Sequence, residues 1–179
     1  SIRSVTVKIF IKQNINNMKK YSIEIKWAIL FIIMTFVWMF IEKLAGLHSE
    51  HIDKHPVYTN FIAIPAILIY LLAMYDKRKN YYSGQMSWKQ GFVCGLIITA
   101  IVTVLSPLTQ LIVSEVISPE YFPNVIKYSV SSGALKQEEA ENYFNLKNYI
   151  IQGLIGAPVM GIFTSVITAF IAKSKQSAV

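Results

Sequence analysis

All three histidines of the chain fall within eight residues, and they are the side chains best suited to chemistry. The segment runs from His48 through Glu50, His51 and Asp53 to His55. Imidazole nitrogens and carboxylate oxygens are common ligands of zinc, copper and nickel. If the loop folds back on itself, it is a candidate site for a divalent transition metal, with four candidate ligands: His48, His51, His55 and Asp53. The alternative is a solvated loop whose histidines cap helix ends or titrate near neutral pH.

A second group of polar side chains lies within or next to long apolar stretches, near three prolines. Pro65, Pro107 and Pro158 each free a backbone carbonyl four residues earlier. Inside a bilayer, freed carbonyls and polar side chains need hydrogen-bond partners. They predict either a polar vestibule open to the outside or ordinary helix packing in which these groups satisfy one another. The candidate vestibule residues are Asn60, Ser106, Thr109, Gln110 and Gln152.

Signatures of known catalytic sites are missing from the sequence. It has no Gly-rich phosphate loop, no GxSxG or HExxH motif and no paired cysteines. Cys94, the only cysteine, lies in an apolar stretch and behaves there as a small hydrophobic residue. No ionisable residue lies near the middle of an apolar stretch, whereas proton pumps and ion-coupled carriers usually need one. We therefore predict a protein that is not an enzyme and has no cofactor besides the candidate metal.

The elements that carry these residues are four long apolar blocks. The chain has 179 residues, of which 54% are hydrophobic and 15% are charged, and its mean hydropathy is +0.44. About 20 apolar residues cross the hydrocarbon core as a helix. We predict an all-α, four-helix transmembrane bundle with spans near residues 23–41, 57–75, 91–113 and 149–172. The long polar segment between the third and fourth spans predicts an additional amphipathic or surface helix.

Small residues recur at every fourth position in the last two spans. Gly91 and Gly95 begin such a stripe in the third span, and Gly153, Ala157 and Gly161 begin one in the fourth. Residues four apart lie on one helix face. In lipid, a stripe of small residues lets two backbones approach closely. We therefore predict that the third and fourth spans pack antiparallel along their stripes.

Basic residues are divided unequally between the two ends of the predicted bundle. With both termini on one side, that side receives 12 of the 17 basic residues and only two acids, Glu24 and Asp76. The positive-inside rule then predicts that both termini are cytoplasmic. Because the basic residues flank apolar spans, the net charge of +7 indicates membrane topology rather than nucleic-acid binding.

The chain is predicted to form one membrane domain over residues 18–175, followed by a short tail at 176–179. Residues 1–17 are basic, contain no acid and precede Met18. They are interpreted as a non-native or disordered leader. The alternative is a basic arm that binds weakly to the inner membrane surface.

Several segments resemble members of the domain-of-unknown-function family DUF4199. They are KKYSIEIKWAILF, HIDKHPVYTNFIAIPAI, DKRKNYYSGQMSWKQGF, SPEYF and AENYFNLKNYIIQG. The resemblance covers essentially residues 18–175. It implies a small multi-pass protein of the bacterial inner membrane with four spans, and it supplies no catalytic or ligand residues.

Three functions stay open at this point. The first is a non-enzymatic association or accessory module that binds itself or a membrane-protein partner, which the small-residue stripes and the uncharged span centres favour. The second is a small pore or carrier with an outward-facing polar vestibule. The third is an outward-facing metal-binding protein that uses the histidine loop.

Overall fold

The structure is a computed structural model, which describes the backbone of residues 2–174 and the side chains of residues 20–174. The tail at 176–179 and the side chains of the leader at 1–17 lie outside the described residues. Within the described range the chain is helical and has no strand. Its helices are α1 (Ile2–Leu44), α2 (His55–Tyr58), α3 (Ala63–Asn80), α4 (Trp88–Ile112), α5 (Tyr121–Ser131), α6 (Gln137–Tyr143) and α7 (Leu146–Ala172).

Four helical segments are long and apolar enough to cross a membrane: Lys20–Leu44, His55–Asn80, Trp88–Ile117 and Leu146–Ala172. The second includes a 3-10 turn between α2 and α3, and the third includes a π-helical turn after α4. Each segment contains one span predicted from the sequence and extends it. The prediction of an all-α protein with four helices able to span a membrane is therefore confirmed.

Large apolar side chains cover the outside of these four segments. Val104 is 76% exposed, Ile64 is 65% exposed and Phe163 is 64% exposed. In a soluble protein such a surface would be costly, because each apolar Å² left in water costs about 25 cal/mol. The same surface is the one that lipid tails cover in a transmembrane bundle.

The closest helix pair is α4 with α7, which run antiparallel along their small-residue stripes. A Cβ built on Gly91 would lie 3.2 Å from the Cβ of Ala169, and one built on Gly95 would lie 2.3 Å from Ser165 Oγ. Further along, a Cβ on Gly161 would lie 2.4 Å from Thr99 Cγ2. Because these glycines have no side chain, the two backbones come close enough for dispersion to hold them together.

One end of the bundle, which we call the terminal end, is filled by apolar and ion-paired side chains. Tyr70, Met74 and Ile98 belong to its buried core. Beside them the Lys77 ammonium lies 2.8 Å from Glu24 Oε1, and both side chains are almost fully buried. Each charge thus compensates the other away from water.

At the opposite end, which we call the cap end, residues 118–145 form a cap of two short helices, α5 and α6. Gly133, in the left-handed conformation with φ of +74°, follows α5 and ends it. Glu138 and Glu139 lie in the first turn of α6, where negative side chains interact favourably with the helix dipole. Asn145 then caps α7 by accepting a hydrogen bond from the Asn148 backbone at 3.0 Å. The chain thus turns twice over the cap end before it re-enters the bundle.

Candidate functional site

A cavity of about 520 Å³, which we call the chamber, lies at the cap end. Its walls come from the end of α1, the loop before α2, the last turns of α4, the start of α7 and the cap. They combine apolar and aromatic side chains with a few polar ones, which is the usual make-up of a ligand pocket. Lining residues include Met39, Ile52, His48, His55, Tyr121 and Tyr149.

The loop at the chamber folds back on α1 because a glycine follows the helix. Gly46 has a φ of +74°, which is a left-handed conformation that glycine adopts without strain. The backbone N–H of Gly46 bonds to Lys43 O and that of Leu47 bonds to Glu42 O. These bonds satisfy the last carbonyls of α1 and reverse the chain. His48 is thereby carried back over the side chain of Glu42.

At this bend His48 and His55 both approach the carboxylate of Glu42. Glu42 Oε2 lies 3.3 Å from His48 Nε2 and 3.5 Å from His55 Nε2. One potential ligand atom from each of the three residues lies within 4.8 Å of the other two. Glu42 and His48 are buried, at 1% and 3% exposed, whereas His55 is partly buried. We refer to Glu42, His48 and His55 as the His-Glu cluster.

Each member of the His-Glu cluster is held from behind by another side chain. The Trp38 indole N–H donates to Glu42 Oε1 at 2.6 Å. His48 Nδ1 bonds to Ser118 Oγ at 2.6 Å. His55 Nδ1 bonds to the Tyr121 hydroxyl at 3.3 Å. Two of these three supports come from the cap, so docking of the cap orients both imidazoles.

Two more hydrogen bonds fasten the cap to the bundle. The Tyr121 hydroxyl bonds to the Tyr149 hydroxyl at 3.2 Å, and the Asn124 amide donates to His48 O at 2.9 Å. Burial raises the pKa of the Tyr121 hydroxyl, and the neighbouring Tyr149 raises it further. The hydroxyl therefore keeps its proton and is available as a donor at neutral pH.

Within the described part of the chain, His55 Nε2 is a buried side-chain nitrogen without a hydrogen-bond partner. It lies 3.5 Å from Glu42 Oε2 but does not form a hydrogen bond to it. A buried polar atom without a partner costs about 1–3 kcal/mol. The atom is part of the His-Glu cluster, so this position favours an additional group that can bind to it.

The structure brings together two of the four metal ligands predicted from the sequence. His48 and His55 share the cluster, whereas His51 and Asp53 are exposed and lie outside it. Glu42, the third member of the cluster, was not among the ligands predicted from the sequence. The sequence did contain one signal for Glu42. Trp38 lies four residues earlier on the same face of α1, where its indole N–H can reach the carboxylate.

The candidate vestibule residues divide between two cavities and the surface. Gln110 and Gln152 line the chamber. A neighbouring cavity of about 170 Å³ is lined in part by Ser106, Thr109 and Gln110. Asn60 is exposed and donates its amide to Pro56 O at 2.7 Å, so it lines neither of these two cavities.

Local hydrogen bonds satisfy some of the polar groups around Pro107. The Ser106 hydroxyl donates at 2.9 Å to Thr103 O, which is the carbonyl that Pro107 frees. The Gln110 amide donates to Ser114 Oγ at 3.0 Å. At this proline, the arrangement matches ordinary helix packing, in which neighbouring polar groups satisfy one another.

The family model described as "Protein of unknown function (DUF4199)" matches residues 26–174. The match includes nearly all of the first span, the other three spans, the cap and every member of the His-Glu cluster. No curated protein and no solved structure matches the chain. The match covers most of the sequence, and the chain therefore belongs to the DUF4199 family of proteins of unknown function.

Proposed function

We propose that this chain is a non-enzymatic binding module of the bacterial inner membrane that holds a small ligand in the chamber. The observation that carries the proposal is the chamber itself, a cavity of about 520 Å³ lined by His48 and His55, whose imidazoles meet the buried carboxylate of Glu42. Clefts of this size with apolar walls and a few convergent polar groups are the usual form of ligand sites.

The orientation we propose has both termini in the cytoplasm and the chamber on the outer side. Basic residues dominate the terminal end, and eight of the ten acids belong to the cap end. The positive-inside rule assigns the basic end to the cytoplasm. The ligand would then reach the chamber from the periplasmic side.

The filled terminal end supports binding rather than conduction. Below the chamber, Tyr70 is 3% exposed, and Met74 and Ile98 are 0% exposed. The buried pair of Glu24 and Lys77 lies beyond them. A pore needs a continuous polar path, whereas a closed inner end is suited to a site that holds its ligand.

The small-residue stripes support binding over association as the main role. In the sequence they suggested a surface for a partner helix. In the fold, Gly91, Gly95 and Gly161 are occupied by close contacts between α4 and α7. Because the stripes are used for packing within the fold, they do not indicate an outside partner. The chamber is therefore the feature of the chain that best indicates its function.

Native mass spectrometry of the protein, extracted from its own membrane in mild detergent, tests the proposal. Ser129 lines the chamber and is 7% exposed, so Ser129→Trp would fill it. Lys127→Trp, at an exposed position of the same helix, is the matched control. We expect a small molecule or an ion bound to the wild type and to the control, and lost from Ser129→Trp. A wild type without any adduct, or an adduct retained in Ser129→Trp, would contradict the proposal.

A further inference from the structure

We infer that the His-Glu cluster binds a divalent transition metal, with Zn²⁺ as the expected ion, through Glu42 Oε2, His48 Nε2 and His55 Nε2. The inference rests on the proposed function, since it names the class of ligand that the chamber holds. It differs from the site expected from sequence spacing, because Glu42 is a ligand and His51 and Asp53 are not.

The distances between the donor atoms suit a small tetrahedral ion. Two ligands bound about 2.0–2.1 Å from Zn²⁺ at the tetrahedral angle lie roughly 3.3 Å apart. Glu42 Oε2 lies 3.3 Å and 3.5 Å from the two imidazole nitrogens. The three donor atoms all lie within 4.8 Å of one another, so an ion between them would require the two imidazoles to adjust by rotation. Two histidines and one carboxylate form a recurrent set of protein ligands for zinc, which leaves the fourth position open.

The hydrogen bonds behind the cluster fix the nitrogens that would bind the ion. His48 and His55 each use Nδ1 for a bond to a hydroxyl of the cap, from Ser118 and Tyr121 respectively. With its proton on Nδ1, each ring would offer the lone pair of Nε2 to the ion, and the hydrogen bond between His48 Nε2 and Glu42 Oε2 would give way to it. Metal-binding histidines are almost always held in this way through their second nitrogen. The Trp38 indole holds Oε1 of Glu42, so Oε2 is the oxygen that faces both histidines, and it is hydrogen-bonded to His48 Nε2 at 3.3 Å.

Charge and hydrogen bonding both leave a position for a cation. Among the described residues, Glu42 has only the two histidines as ion-pair partners, although its side chain is 2% exposed. A buried carboxylate needs a compensating positive charge. The buried Nε2 of His55 lacks a hydrogen-bond partner among these residues, although it lies 3.5 Å from Glu42 Oε2. One divalent ion satisfies both requirements, and the chamber beside it has room for a water molecule or another ligand as the fourth donor.

Zinc titration of the purified full chain in mild detergent, after removal of metals with a chelator, tests the inference. A chromophoric chelator that competes for Zn²⁺ reports affinity and stoichiometry. We expect one Zn²⁺ per chain, at least 10-fold weaker binding in His48→Ala and in His55→Ala, and unchanged binding in His51→Ala. The last variant is the matched control, since it removes an exposed imidazole from the same loop. Ser118→Ala keeps all three ligands and should weaken binding about 10–100-fold.

Cobalt spectroscopy of the wild type keeps the inference testable even if a ligand variant does not fold. Co²⁺ in place of Zn²⁺ should give the intense visible bands of a tetrahedral site. An octahedral spectrum, absence of stoichiometric Zn²⁺, or equal weakening in His51→Ala would overturn the inference. If Zn²⁺ fails to bind but an organic adduct is lost from Ser129→Trp, only the metal inference fails. If neither binds, the proposed function fails with it.

Discussion

The contact between α4 and α7 gives a sharp prediction for a single methyl group. Gly161→Ala places a Cβ 2.4 Å from Thr99 Cγ2 and 2.9 Å from Thr99 Cβ. Carbon atoms pack best about 3.5–4.0 Å apart, so about 1 Å of separation is missing. Thr99 has little freedom to rotate away, because its hydroxyl bonds to Gly95 O and to the Tyr70 hydroxyl, both at 2.9 Å. The two helices must therefore separate.

The magnitude follows from two opposing terms. Overpacking of a close contact costs about 1–3 kcal/mol. Replacing Gly by Ala in a helix gains about 1 kcal/mol from backbone propensity. Gly156→Ala on the same helix has the gain in propensity without the overpacking, because a Cβ at Gly156 meets nothing within 4 Å. The difference between the two variants therefore isolates the cost of overpacking. We therefore expect Gly161→Ala to be less stable than Gly156→Ala by about 1–3 kcal/mol.

Equilibrium unfolding in mixed micelles, followed by far-ultraviolet circular dichroism during titration with a denaturing detergent, measures this difference. The comparison uses two variants of identical composition, so effects on the micelle and on the unfolded state largely cancel. Equal stability of Gly161→Ala and Gly156→Ala would refute the close packing at Thr99. A loss of stability in Gly156→Ala would show instead that α7 packs on a different face.

Two other predictions concern the terminal end and the orientation. Lys77→Met leaves the buried carboxyl of Glu24 without its partner and should cost about 3–5 kcal/mol in the same unfolding assay, whereas Lys79→Met, at an exposed position, should change little; similar stability of the two variants would argue against the buried pair. In a chain without its native thiol, Ser132→Cys should react with a membrane-impermeant maleimide in intact spheroplasts, and Gln85→Cys only after permeabilisation. The reverse labelling pattern would invert the proposed orientation.

The four spans could be predicted from the sequence because lipid imposes a simple requirement on composition. A helix that crosses the hydrocarbon core must be apolar over about 20 residues, and this pattern is local in the chain. The stripes from Gly91 and Gly153 were equally readable, since residues four apart share a helix face wherever the helix lies. The ends of the spans were less predictable, because polar residues such as Lys20 and Asn80 continue a helix beyond the apolar core.

The site was only partly predictable because its residues come from distant parts of the chain. His48 and His55 were recognised by their spacing in one loop. Their partners Ser118 and Tyr121 are about seventy residues further along, and no local pattern links them. His51 has the same residue type and lies in the same loop, but it is exposed, because the turn at Gly46 and the contacts of the cap carry His48 and His55 inward instead.

The repeat in the α4 and α7 stripes has a consequence for how these helices find their alignment. A slip of four residues, about 6 Å at 1.5 Å per residue, would place Thr99 opposite Ser165 or Ala157 instead of Gly161. Both of these residues carry a Cβ, so a slipped alignment meets the same crowding at Thr99 that we expect of Gly161→Ala, and the glycines disfavour it. A contact at the terminal end adds to this selection, since the Ser174 backbone after α7 donates to Met86 O just before α4 at 2.8 Å. The stripe thus brings the two helices close, and the placement of its glycines, together with the end contact, fixes which residues face each other.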